Sequence, residues 1–339
     1  MKRFLCICLG LTALAHAKTP PPPPPCPPAW DADLFRKNVQ VVSGHLEFLY
    51  WKPEESALDY ALKMSIPAGS IDPSFAQGTY KSGSFNMTPG VRLSISYFRA
   101  PKEWEVWGSY TRLTSTGHNS TSKPTPATVF LTGTWPQIMS SPLTQATSSL
   151  HLNYNVADLL ADRYFNPNAH FRLRLLGGLT SAWMDQYWAV QYFDAPGDTT
   201  RIVNTWGYAG GGFRFGAMID WFWTHDIYFT ARGTFAALMG CYKNQSKQTT
   251  NLQSTPVRNA IYRDTRGALS MQAMLGPSWQ KNYSCMRVEV FAGYEITTWS
   301  NLQEIYHSTA GTASAAKETW TNTGLLSMQG LTARVTMDF

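Results

Sequence analysis

The chain has 339 residues, of which 15% are charged and 14% aromatic, and a formal net charge of +6. A soluble protein usually carries ~25% charged residues, and a helical membrane protein needs about eighteen consecutive apolar residues. This chain has neither, and it lacks the basic run that nucleic-acid binding requires. Few charges, many aromatics and no long apolar run suit a membrane barrel, whose apolar signal is spread over alternating strands. The competing expectation is a secreted soluble β protein with an aromatic core.

Met1-Lys2-Arg3 is a basic start, Phe4 to Leu14 is apolar, and Ala15-His16-Ala17 has the small-x-small form of a cleavage site. Residues 1–17 are therefore expected to be a signal peptide, with the mature chain starting near Lys18. They contain no acidic residue, so removing Lys2 and Arg3 takes the net charge from +6 to +4. Residues 18–43 form a Pro-rich leader. Pro20 to Pro25 and Pro27-Pro28 flank Cys26 and predict an extended spacer, with a short helix expected over Asp31–Asn38.

From Gly44 onward the pattern has period two, the signature of a strand with one apolar and one polar face. Leu46, Phe48 and Tyr50 alternate with His45 and Glu47, and Pro53 is expected to end the run. Leu58, Tyr60, Leu62 and Met64 alternate again. Val91, Leu93, Ile95 and Tyr97 oppose Arg92, and a strand follows from Trp104 to Leu113. After a Ser/Thr-rich loop over 115–148, which contains a candidate hairpin at Thr128–Trp135, Leu150, Leu152, Tyr154 and Val156 oppose His151 and Asn153. Phe171, Leu173 and Leu175 oppose Arg172 and Arg174. Phe213, Phe215, Ala217, Ile219 and Trp221 oppose Arg214 and Asp220. Ile227, Phe229, Ala231, Gly233 and Phe235 oppose Arg232. Leu269, Met271, Ala273 and Leu275 form one face of the next strand, and Val288, Val290, Ala292, Tyr294 and Ile296 oppose Arg287, Glu289 and Glu295. In the last strand, Leu331, Ala333, Val335, Met337 and Phe339 oppose Arg334 and Asp338.

Connections at 100–103, 161–169, 223–226 and 281–285 are short. Those at 53–87, 115–148, 243–264 and 301–323 are long, and 191–201 is intermediate. Alternation of short and long connections belongs to barrels with short periplasmic turns and long extracellular loops. The expected fold is thus an all-β, antiparallel, up-and-down transmembrane barrel over residues 44–339. It would have about ten strands, or twelve if Leu58–Met64 spans separately with a partner in 67–86.

The apolar faces should meet lipid, with Trp104, Trp221 and Trp299 in interfacial girdles. Glu47, Arg92, Arg172, Arg174, Arg214, Asp220, Arg232, Arg287, Glu289 and Arg334 should line the lumen, along with Glu105, Glu295 and Asp338. Inward arginines favour anions in a water-filled pore. The same residues paired with carboxylates would instead brace the interior, and ten strands leave a narrow lumen. The best hydrolase constellation is His151 beside Asn153 with Ser94 or Ser96 as nucleophile; it lacks any local nucleophile motif, so no catalysis is expected. Neither metal-ligand spacing nor a phosphate loop is present, so no cofactor is expected. Gly210-Gly211-Gly212 is expected to serve close packing in the wall.

The segment Leu46 to Ala61 resembles the opening of the Legionella-type major outer membrane protein family, which includes MOMP-like porins of chlamydia relatives. Further matching stretches are Pro89–Arg92, Leu152–Asp158, Leu176–Gln186, Tyr208–Gly216 and Gly330–Phe339. The resemblance implies an outer-membrane barrel that forms a pore for small hydrophilic solutes, with outer-membrane lipid and the barrel assembly machinery as its partners. A structural or adhesive surface barrel with a plugged lumen is the alternative. The closing residues Val335, Met337 and Phe339 resemble the terminal assembly signal of such barrels.

Three cysteines remain after cleavage: Cys26, Cys241 and Cys285. The topology puts Cys241 at the outer end of a strand and Cys285 in a periplasmic turn, too far apart to bond. The open alternatives are Cys26 with Cys285, or cross-links from Cys26 to other envelope proteins, which the disulfide-linked envelopes of chlamydia-like bacteria favour. Deleting Phe339 is expected to reduce outer-membrane insertion more than any single lumenal substitution. The heat-modifiable folded band in membrane fractions measures this.

Overall fold

The computed structural model describes residues 40–64, 78–99, 103–125, 130–135, 139, 141–283, 286–308 and 319–339; for 303–308 and 319–323 it describes the backbone alone. The signal peptide, the polyproline leader, the Asp31–Asn38 helix, Cys26 and Cys285 lie outside these residues.

The alternating runs become thirteen strands: β1 (Gln40–Glu55), β2 (Asp59–Met64), β3 (Gly78–Ser82), β4 (Thr88–Arg99), β5 (Trp104–Ser122), β6 (Leu131–Gly133), β7 (Leu143–Asn168), β8 (Phe171–Asp194), β9 (Thr199–Phe222), β10 (Ile227–Thr250), β11 (Arg258–Asn282), β12 (Arg287–Ser308) and β13 (Thr319–Asp338). Ten of them form a closed antiparallel ring in the order β1-β4-β5-β7-β8-β9-β10-β11-β12-β13, with β13 returning to β1. The remaining three, β2, β3 and β6, extend the sheet from β7 at one end of the ring. The ten-strand expectation holds. The twelve-strand alternative does not, because β2 pairs with β3 and β6 at the mouth and not with the wall.

The wall's outer face carries the apolar residues. Leu46, Phe48, Leu93, Ile95, Leu179, Phe213, Phe215, Met271, Leu331 and Val335 are all exposed. An arginine on this face would cost ~2–4 kcal/mol at mid-membrane; Arg92, Arg172, Arg214, Arg232, Arg287 and Arg334 are buried on the inner face, whereas Arg99, Arg112 and Arg163 are exposed. The belt ends where outward residues turn polar, at Lys52, Asp185, Lys243 and Gln329. Trp221, Trp223 and Trp279 are exposed at the opposite border, at the depth where an amphipathic ring is favoured.

Several boundaries differ from expectation. The wall begins at Gln40, not Gly44, since Gln40–Ser43 pairs with Ser96–Arg99. Pro53 lies inside β1 opposite Met328. There β4 has already left the ladder after Trp51 and Thr88, so the missing N–H interrupts nothing. Most of the stretch expected as a polar loop at 243–264 is a continuation of β10 and β11, paired out to Gln248 and Arg258, and β5 likewise runs on to Ser122. Strands of 24 to 26 residues (β7 to β11) far exceed the ~9–11 that cross a bilayer. Above the belt both wall faces tolerate polar residues, so the apolar alternation that marks a strand disappears although the ladder continues.

Three apolar faces point the other way from expectation. Leu150, Leu152, Tyr154 and Val156 are buried inside the ring, and His151 is on the outer face, not in the lumen. The strand keeps one phase, and past Val156 the inward positions become Asp158 and Asp162 while Leu159 faces outward. Leu58, Tyr60, Leu62 and Met64 are buried at the mouth, and Trp299 is fully buried in the interior instead of in a girdle. Above the belt the outside is water and the inside is packed, so the apolar residues of this part turn inward.

Gly212 shows why small residues are needed in the wall: an added Cβ would lie 1.9 Å from the carbonyl oxygen of Ala237 on β10. The short turns are fixed by side chains. Thr224 Oγ1 accepts from the N–H groups of Asp226 and Ile227, and Asn168 Oδ1 accepts from His170 N. Replacing Ile95, one of the most exposed belt residues, by Arg is expected to destabilise the barrel by about 2–4 kcal/mol, read by urea unfolding in lipid vesicles.

Candidate functional site: the barrel interior

The period of two that sends apolar residues to lipid sends every residue between them into the ring. Glu47, Arg92, Arg172, Arg214, Asp220, Arg232, Arg287, Glu289 and Arg334 are buried there, Arg174 nearly so, and Glu105, Glu295 and Asp338 join them. Ladder register pairs several of them by sign. Glu47 stands opposite Arg92 on β4 and opposite Arg334 on β13. Arg172 stands opposite Asp220 and Arg287 opposite Asp338. The resulting contacts are short: Arg92 to Glu47 at 2.6 Å, Arg172 to Asp220 at 2.9 Å and Arg287 to Asp338 at 2.7 Å.

Further contacts extend the network, and those of Arg92 with Glu295 and of Arg214 with Asp158 and Gln272 join strands that are not neighbours. Arg92 also reaches Glu295 on β12 at 2.8 Å, and its Nε donates to Thr111 on β5 at 2.9 Å. Glu295 in turn accepts from Thr332 at 2.8 Å and from Gln272. Arg174 shares Asp220 at 3.0 Å, and Arg334 donates to Glu289 at 2.7 Å. Arg214 lies 3.0 Å from Asp158 and donates to Gln272 at 2.9 Å. Arg232 on β10 extends across the ring, its guanidinium 4.7 Å from the centre of the Trp107 ring on β5. Glu295 and Asp220 are fully buried.

Above this charged layer the interior is apolar. Leu49, Trp51, Leu113, Tyr154, Met184, Trp188, Tyr192, Trp299 and Met328 form one buried cluster. Leu58, Tyr60 and Ala61 (the last two on β2), together with Leu131 and Trp135, belong to the same cluster, so the first long connection packs down over the mouth. The aromatics pack edge to face, Trp135 on Trp188 at 5.0 Å and Tyr154 on Trp299 at 6.3 Å, a preferred geometry. Their polar ends are placed as well: Trp51 Nε1 donates to Thr332, Trp188 Nε1 to Ser148, and Tyr192 Oη to the carbonyl of Tyr60. The two layers meet where Arg92 lies 5.5 Å from the centre of the Trp51 ring.

The candidate hydrolytic set is not assembled, since His151 faces outward while Ser94 and Ser96 face the interior. His45 is the imidazole beside Ser96, at 3.3 Å, with its other nitrogen 2.8 Å from Thr336 Oγ1. Sequence reasoning passed over His45, Asp158, Asp162 and the aromatic plug. The run Asp158, Leu160, Asp162, Tyr164 continues the inward phase of Leu150 to Val156, but its mixed polar and apolar character hides it from a reading based on apolar alternation. Among the described residues no group of three or more His, Cys, Asp or Glu could hold a metal ion. Cys241 is a free thiol on the outer face.

Residues 42–339 match the family model described as the Legionella pneumophila major outer membrane protein precursor. No curated protein matches the sequence. Among solved structures, the outer membrane protease OmpT of Escherichia coli is 10% identical, with a TM-score of 0.42, over 90% of this chain and 99% of its own. A Pseudomonas aeruginosa FadL homologue is 6% identical, with a TM-score of 0.27, over 91% and 92%. The P. putida toluene transporter TodX is 8% identical, with a TM-score of 0.17, over the same shares.

Arg92 carries the greatest energetic weight of the charged layer. Replacing it by Leu leaves Glu47 and Glu295 buried without their counter-charge and is expected to cost about 3–5 kcal/mol. Replacing Lys52, whose ion pair with Glu54 is exposed, should cost less than about 1 kcal/mol. Urea unfolding in detergent micelles compares the two.

Proposed function

The chain belongs to the family of the Legionella pneumophila major outer membrane protein precursor and is a β-barrel of the bacterial outer membrane; from that premise we propose that it is a structural surface barrel whose lumen is closed at rest. The observation carrying this reading is the stacking of two layers of buried side chains across the ring. Trp51, Trp188 and Trp299 have at most 1% exposure in the upper layer, and Glu295 and Asp220 have none in the lower. Hydrated solutes need a continuous wet path, and the charges of this layer that are matched to each other, such as Arg92 with Glu47 and Glu295, offer a passing ion no replacement for its water. The arginines then act as cross-struts between strands, and the tall wall above the belt presents polar surface on the outside of the cell. Outer-membrane lipid and the assembly machinery are the partners this role requires, and Cys26 is the candidate for linkage to other envelope proteins. Its reading as a non-catalytic protein is supported by the separation of His151 from Ser94 and Ser96 on opposite wall faces.

A porin-like channel for small hydrophilic solutes is the second reading. It is favoured by the light attachment of the plug, since β6 has three residues and pairs with β7 at a single position, Leu131 with Leu143. A segment so weakly laddered could leave the mouth at little cost in hydrogen bonds. Conductance of the refolded protein in planar bilayers separates the two readings. Silence at low voltage is expected, and steady ohmic channels from the unmodified protein would establish the porin reading instead.

A further inference from the structure

We propose that the periplasmic half of the lumen holds a binding site for a small zwitterionic solute carrying both an ammonium and a carboxylate. The inference goes beyond the closed-barrel reading and does not depend on it.

At that end of the ring lies a cavity of about 80 Å³ whose lining includes Arg232, Trp107, Glu105 and Asp162. Most charges around it are matched: Arg172 and Arg174 to Asp220, Arg287 to Asp338, and Arg334 to Glu289. Three are not. Arg232 is 8% exposed, its Nε is buried without a hydrogen-bond partner, and it makes no ion pair among the described residues. The Trp107 ring face holds its guanidinium by cation–π attraction, which leaves the N–H edge unused. Asp162 is 7% exposed, and its buried Oδ1 has no partner. It stands directly opposite Glu105 in the β5–β7 ladder, an arrangement of like charges that is unfavourable in a sheet. Neither carboxylate has an ion pair among the described residues. Glu105 accepts one hydrogen bond, from Tyr164 Oη.

A buried charge without a counter-charge is strongly disfavoured. Here one lone guanidinium and one crowded pair of carboxylates line the same small space. An anion alone would satisfy Arg232 while facing two carboxylates, and a cation alone would satisfy the carboxylates while facing Arg232. A molecule bearing both signs satisfies both sides. Its carboxylate would take the guanidinium edge in a bidentate pair, and its ammonium, with three donors, would bridge Asp162 and Glu105. At ~10–15 Å³ for each water-sized occupant, 80 Å³ accommodates roughly five to eight non-hydrogen atoms, the size of a small free amino acid.

Glycine is the probe, titrated calorimetrically into the full-length protein refolded in detergent. Acetate and methylammonium serve as single-sign controls. Saturable binding of one glycine per barrel is expected, with each control at least tenfold weaker. Arg232→Gln and Asp162→Asn should each weaken glycine at least tenfold, and Lys52→Ala should leave it unchanged, with heat-modifiable gel mobility verifying that each variant is folded. Should a lumenal variant fail to fold, the comparison of glycine with acetate and methylammonium on the unmodified protein still decides. No saturable glycine binding, which means the cavity holds water only, would overturn the proposal. So would equal binding of either control, or glycine affinity unchanged in both folded variants.

Discussion

Everything in this barrel depends on the closure of its hydrogen-bonded sheet. In the hydrocarbon of a bilayer an unpaired backbone N–H or C=O has no water to turn to, so the wall can exist only as a ring without edges. The ring is sealed by β1 against β13, in a register running from Ser43 opposite Asp338 to Glu55 opposite Leu326. Because side chains alternate strictly, that register also decides what enters the lumen. A slip of β13 by one residue against β1 would send Arg334 into lipid and Val335 inside. The charge pairs and the lipid belt are therefore two results of one constraint.

The same constraint accounts for the division of the interior. Within the belt the outer face must be apolar, so polar residues can only go inward, where they are buried and must satisfy one another. Arg92 bonded to Glu47, Glu295 and Thr111 is the result. Above the belt the outer face is wet, polar residues can point outward, and the interior is free to become apolar. The aromatic cluster around Trp51, Trp188 and Trp299 sits there, capped by residues of the first long connection. The change of the inward residues on β7 from Tyr154 and Val156 to Asp158 and Asp162, with no break in the ladder, marks the height at which one regime gives way to the other.

Much of this was legible in the residues. The alternation of Leu46, Phe48 and Tyr50 with Glu47, and of Leu331, Val335 and Met337 with Arg334, assigned faces correctly because those stretches lie inside the belt. The same reasoning failed for Leu150 to Val156, for Leu58 to Met64 and for Trp299. An apolar face in a period-two run reports only that it avoids water, and lipid and a packed lumen satisfy it equally. Residues 243–250 were misread as loop for the related reason that a strand wet on one side and polar on the other has no apolar period.

The sequence by itself determined the sheet, the export of a barrel to a membrane and most of the charged residues that face inward, since each follows from a period of two and the spacing of turns, while the choice between ten and twelve wall strands needed the pairing of β2. Only the tertiary structure decided which charges meet, how far the wall rises beyond the membrane and whether the lumen is filled. Those outcomes depend on contacts between residues far apart in the chain, such as Arg92 with Glu295 and Tyr192 with Tyr60. Such contacts are fixed by the curvature of the closed ring and leave no mark in local spacing.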